Sequence, residues 1–111
     1  MAAMFSSVAV ACDIPVTVFF SMNALTTFVF GRGVEPPAEG GFGALLMQEG
    51  VPPFRQLFEH AVELGDAKLL PCSMAMDVLK IDEKDLDPFF GPPTGLTHFI
   101  SLSEGGQILT F

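Results

Sequence analysis

The chain has no tryptophan and no tyrosine, yet it carries twelve phenylalanines in 111 residues. Its aromatic surface therefore offers no hydroxyl and no indole N–H, which directs the rings to cores and packed interfaces. Positive charge is scarce. Five Lys and Arg stand against thirteen Asp and Glu, for a net charge of −8. Binding a phosphate backbone needs a basic footprint, so nucleic acid is excluded as a partner class. An anionic membrane surface is disfavoured on the same ground. Cysteine occurs only at Cys12 and Cys72, far apart and in no Cys-x-x-Cys pair, which argues against a disulfide scaffold. Long apolar runs are missing too. The most apolar region is interrupted at Asp13, Pro15 and Thr17, well short of a membrane span. The opening Met1-Ala2-Ala3-Met4-Phe5 has no basic region, so no secretory signal is expected and a cytoplasmic location is predicted.

What is present is enough apolar material for one small domain over residues 1–111: half the residues are hydrophobic and the mean hydropathy is +0.50. So high a hydrophobic fraction in a short chain also suggests buried contacts between subunits, and a homo-oligomer is expected. Met1 to Asp13 reads as a helix rich in small residues. Ile14 to Phe20 is a β-branched and aromatic run of the kind found in parallel strands buried on both faces. Ser21-Met22-Asn23 reads as a turn and Ala24 to Phe30 as a short helix. Gly31 to Gly50, with Pro36-Pro37 and Gly40-Gly41-Phe42-Gly43, reads as an excursion from the core with some helix over Ala44 to Gln48. Its glycine spacing is not that of a dinucleotide site.

Pro52 to Leu64 has the strongest helical pattern. Phe54, Leu57, Phe58, Ala61 and Val62 form one stripe, with prolines at the start and Gly65 as the stop. Lys68 to Pro71 is a second strand and Ser73 to Leu79 a helix. Ile81 to Phe90 is an acidic connection, Thr94 to Ser103 a helix with Leu96, Phe99 and Ile100 inward, and Gln107 to Phe111 a final strand. This alternation predicts an α/β protein with a parallel sheet sandwiched between helices, in three layers. Such a sheet normally begins with a strand, so the reading expects a first strand that is missing here.

The chemistry-bearing position is Cys72. It ends a strand and opens a helix, where unpaired amides favour a thiolate. The ordinary alternative is an inert buried thiol. Ligands of parallel sheets gather at the strands' carboxyl ends, which adds Ser21 and Asn23 as hydrogen-bond donors, with simple turn formation as the alternative. The amides of Ser73, Met74 and Ala75 are expected to face an anion on Cys72. Met74 and Met76 are candidates for a soft, water-poor wall around the sulfur, or else for core. Asp77 is placed in the first turns of that helix, beside its dipole or as an acid/base group. Cys12 is expected in the core. His60 and His98 have no spacing that links them to a cysteine, so no metal and no cofactor are expected. The acids Asp82, Glu83, Asp85 and Asp87 read as a solvated face, or as a dock for a basic protein.

The run Cys72-Ser73-Met74-Ala75-Met76-Asp77 resembles the Cys-x-Met-x-Met-Asp segment of the DsrE/DsrF/DrsH-like family. Val16-Thr17-Val18-Phe19-Phe20-Ser21 is similar to that family's Val-Thr-Ile-Phe-Phe-Thr strand. Val51-Pro52-Pro53 through Gly65 is similar to the helix before its cysteine strand. The resemblance covers about Val8 to Phe111; it departs at Pro71, where relatives often carry a small residue, and in the absent opening strand. It implies a flavodoxin-like three-layer domain, often oligomeric. It also implies intracellular sulfur relay, with sulfane sulfur held as a persulfide on Cys72 and exchanged with rhodanese-like donors and TusA-like acceptors. The competing expectation is a noncatalytic α/β module that binds a small anion or assembles with other subunits.

Overall fold

The computed structural model describes residues 1–32, 35 and 39–111. Helix α1 spans Ala2–Ala11, strand β1 Thr17–Phe20, and a 3₁₀ helix Met22–Phe28. Helix α2 follows at Gly40–Leu46, then α3 at Phe54–Gly65, β2 at Lys68–Pro71 and α4 at Ser73–Leu79. A short 3₁₀ turn at Glu83–Asp85 leads to α5 at Leu96–Leu102. The two strands pair in parallel, with Thr17 opposite Lys68 and Phe20 opposite Pro71. The α/β class expected from the alternation is thus observed, with a two-stranded parallel sheet among the described residues.

Adjacent side chains of β1 point to opposite faces and are covered by different helices. Phe20 meets Phe58 of α3 edge-on at 5.1 Å. Phe19 stacks on Phe99 of α5 at 4.7 Å. Phe20 also meets Phe28 at 4.9 Å and Phe90 at 5.1 Å. These rings, with Leu25, Leu69, Cys72, Ala75 and Met76, make the core. Edge-to-face contacts each add about 0.5–1.5 kcal/mol beyond burial, so the Phe-only composition serves a shared cluster.

Several expectations are corrected. Gln107 to Phe111 is not a strand. Its residues are exposed and unladdered, and Phe111 packs against Phe5 of α1 at 6.1 Å. A strand is stabilised by its ladder, and no described strand lies alongside to provide one. Leu96 and Ile100 face outward, 57% and 56% exposed; only Phe99 of that stripe turns inward. The helix expected over Ala24 to Phe30 is instead the tighter 3₁₀ form over Met22–Phe28, and it takes in Met22 and Asn23 of the expected turn. The excursion's helix lies at Gly40–Leu46, with no buried residue; Pro36-Pro37 lies outside the described residues.

Gly65 has a different task from the one its position suggested. It remains helical, and the left-handed residue that stops α3 is Asp66, with φ 54°. Gly65 lies where α1 crosses α3. A Cβ on it would stand 2.8 Å from Val10 Cβ, inside van der Waals contact. Helix propensity favours alanine over glycine by about 1 kcal/mol, but overpacking costs about 1–3 kcal/mol. Gly65→Ala is therefore expected to lower the melting temperature. In a Val10→Gly background, which removes that Cβ, the same change should be neutral or stabilising. A Gly65→Ala effect of equal size in both backgrounds would show that the helix crossing does not set the requirement.

Candidate functional site

Cys72 is held at three backbone points. Its N–H donates to the Phe20 carbonyl at 2.8 Å, continuing the ladder one residue past β2. Its own carbonyl accepts from the Met76 N–H at 3.0 Å and starts α4. On the other side it pairs with Thr94, whose N–H donates to the Pro71 carbonyl at 2.9 Å. Pro71 has no N–H to offer, so it fits this ladder only because that group is not required there. The thiol therefore lies where both strands end. The register sets Ser21, half-buried, one residue beyond the Phe20–Pro71 pair and so beside Cys72.

The environment of the sulfur is apolar. Cys72 is 4% exposed and belongs to the same core cluster as Phe20 and Met76. The Ser73 amide is not free for an anion, because it donates to the Thr94 carbonyl at 3.0 Å. No local pattern marked Thr94, a buried residue whose hydroxyl donates to the Pro92 carbonyl. It sits in a Gly-Pro-Pro-Thr loop whose role depends on where the sheet edge lies.

The other expected site residues separate. Met76 is buried in the core. Met74, 63% exposed, faces away and walls nothing off from water. Asp77 is the fifth residue of α4 and exposed, past the turn where a carboxylate would meet the dipole. Asn23 is exposed within the 3₁₀ helix, and its carbonyl accepts from Thr26 Oγ1. Ser73, Met76 and Asp77 do share an open cleft of about 400 Å³ with Ile81, Asp82 and Lys84. Its rim carries Asp77, Asp82 and Glu83, and Lys84 is engaged by Asp82 at 3.7 Å. That charge balance opposes a small anion. Cys12, expected in the core, is instead exposed at the end of α1, and both cysteines are free. His60 and His98 are exposed. Among the described residues no three His, Cys, Asp or Glu side chains assemble into a metal-holding group.

The acidic face is not uniformly solvated. Asp87 is only 8% exposed, and its Oδ2 has no hydrogen-bond partner. Its amide donates to the Phe28 carbonyl, which draws the acidic connection against the aromatic core. Arg55 of α3 lies 5.9 Å from the Phe28 and Phe54 ring centres and donates to the Thr27 carbonyl. Burial raises the Asp87 carboxyl above the usual value of 3.8. Arg55 opposes that rise, and Glu59 adds to it. The run Asp87-Pro88-Phe89-Phe90, an acid leading into apolar residues, was the available signal.

No protein-family model matches this chain, and no curated protein matches it.

The folded state holds the Asp87 proton more tightly than the unfolded state. The contribution is fully favourable below 3.8 and is lost as pH rises through the elevated folded value. Asp87→Asn keeps the shape without the buried charge. At neutral pH the variant is expected to melt above the parent, with the difference shrinking as pH falls toward 3.8. A constant difference across that range, followed by thermal unfolding, would mean that the carboxylate charge is not the cause.

Proposed function

We propose that this chain is a sulfur-relay protein of the DsrE/DsrF-like kind, with Cys72 as the carrier. The observation that supports the reading most is the convergence of β1 and β2 on this thiol. The Phe20 carbonyl and the Cys72 N–H meet at 2.8 Å where both parallel strands end. Parallel α/β sheets place their ligand chemistry at that end. The Cys-x-Met-x-Met-Asp likeness points to the same residue.

The reaction is redox-neutral. Cys72 loses its proton to solvent, and the thiolate attacks the terminal sulfur of a donor persulfide. The donor's S–S bond breaks, a donor thiolate leaves, and Cys72 holds the sulfane sulfur as a persulfide. An acceptor thiolate then attacks that terminal sulfur and restores Cys72. Rhodanese-like donors and TusA-like acceptors are the partner chemistry this reading implies, in a cytoplasmic setting and a three-layer domain. Because Cys72 is 4% exposed, transfer requires the Thr94 loop or α4 to move aside. Among the described residues no helix is long and apolar enough to cross a membrane.

The burial of Cys72 favours a second reading, in which the thiol only packs and the chain is a noncatalytic assembly module. The acidic rim of the neighbouring cleft weighs against a small anion as the ligand in that reading.

Intact mass after incubation with polysulfide separates the two. The measurement belongs in a Cys12→Ser background, because Cys12 is exposed. The carrier reading expects a reversible gain of about 32 Da per sulfur, mapped to Cys72 and abolished by Cys72→Ser. A folded protein that takes up no sulfur at Cys72 would leave the packing role.

A further inference from the structure

The sheet has one covered edge and one open edge. On β2, Leu69 and Pro71 turn their carbonyls away from β1, and the amides of Gly91 and Thr94 fill them at 2.8 and 2.9 Å. On β1, the ladder toward β2 uses the even-numbered residues: the Val16 and Phe20 carbonyls accept from Lys68 and Cys72. A parallel ladder alternates, so the N–H and C=O of Thr17 and Phe19 point to the opposite edge. Among the described residues nothing bonds to them. Proteins usually blunt such an edge with a lysine, an internal proline, a bulge or a covering element. Thr17-Val18-Phe19-Phe20 carries none of the first three.

We propose that this open edge is a dimer interface, with β1 of a second copy added antiparallel about a twofold axis through Val18. The occupant is chosen by self-complementarity. Centred on Val18, Thr17 of one copy faces Phe19 of the other. Both have outward N–H and C=O groups, so each such pair exchanges both bonds. Centring on Thr17 would set Phe19 against Pro15, which has no N–H, and centring on Phe19 would set Thr17 against Ser21, whose carbonyl already accepts from the Ala24 N–H at 3.3 Å.

Ile14 and Met22, both exposed large apolar residues, flank the strand at its two ends. An ordinary patch on so acidic a chain would repel its copy, whereas residues 14–22 carry no charge. The interface does not involve the Cys72 thiol and stands apart from sulfur chemistry.

Light scattering and cross-linking on the full chain test this. The parent is expected to have the mass of a dimer at micromolar concentration. Thr17→Pro removes an outward amide that makes no bond among the described residues, so its circular dichroism should be retained while its mass falls to that of a monomer. Val18 meets itself as a non-hydrogen-bonded pair, where Cα atoms lie about 4.5 Å apart, within disulfide range. Val18→Cys with Cys12→Ser should therefore give a covalent dimer on mild oxidation. The cross-link also serves as the readout if Thr17→Pro fails to fold. A monomeric parent overturns the proposal. So does a dimer that persists in folded Thr17→Pro, or one whose Val18→Cys form does not cross-link, because the contact then lies elsewhere.

Discussion

Phe20 joins the two systems on which this fold relies. Its carbonyl accepts the Cys72 amide at 2.8 Å and closes the parallel ladder, and its ring touches Phe28, Phe58 and Phe90 at 4.9 to 5.1 Å. The first contact fixes where β2 ends and α4 begins. The second fixes α3, the 3₁₀ helix and the loop after the acidic connection around that point. A strand pair this short has little stability of its own. It persists because one residue is shared between the ladder and the aromatic cluster. The position of the candidate thiol is thus a consequence of core packing.

The same economy leaves visible tensions. A chain with so much apolar material buries one stripe of α1 against α3 and leaves Met4, Phe5 and Val8 exposed on the other side. Helix α5 turns only Phe99 inward. Asp87 is drawn into the core by its backbone bond to Phe28, although burial raises its carboxyl above the ordinary value. Each is a place where a main-chain or aromatic requirement outweighs the preference of an individual side chain.

Much of the architecture was legible because it is written in local patterns. The 3.6-residue stripe of Phe54, Leu57, Phe58 and Ala61 predicts α3, and the β-branched run after Pro15 predicts β1. Lys68 to Pro71 and Ser73 to Leu79 were legible to the residue, since proline and the change of period punctuate the chain there. The site was legible less completely. Cys72 was found at its strand-to-helix junction. Its burial, the loss of the Ser73 amide to Thr94 and the separation of Met74 from Met76 all depend on which helix face meets the sheet.

Composition, the restriction of aromatics to Phe, the acidic charge, the α/β alternation and the place of Cys72 were determined by the sequence itself, because each rests on residue type or short-range period. Tertiary structure alone decided the rest. Gly65 had to be small because α1 crosses there, and Asp66 took the left-handed turn in its place. Gln107 to Phe111 has strand chemistry but no ladder, because a strand exists only beside another. Asp87 left the solvated face for the core. In each case the deciding neighbour is distant in the chain, and no local pattern encodes a neighbour that only folding brings near.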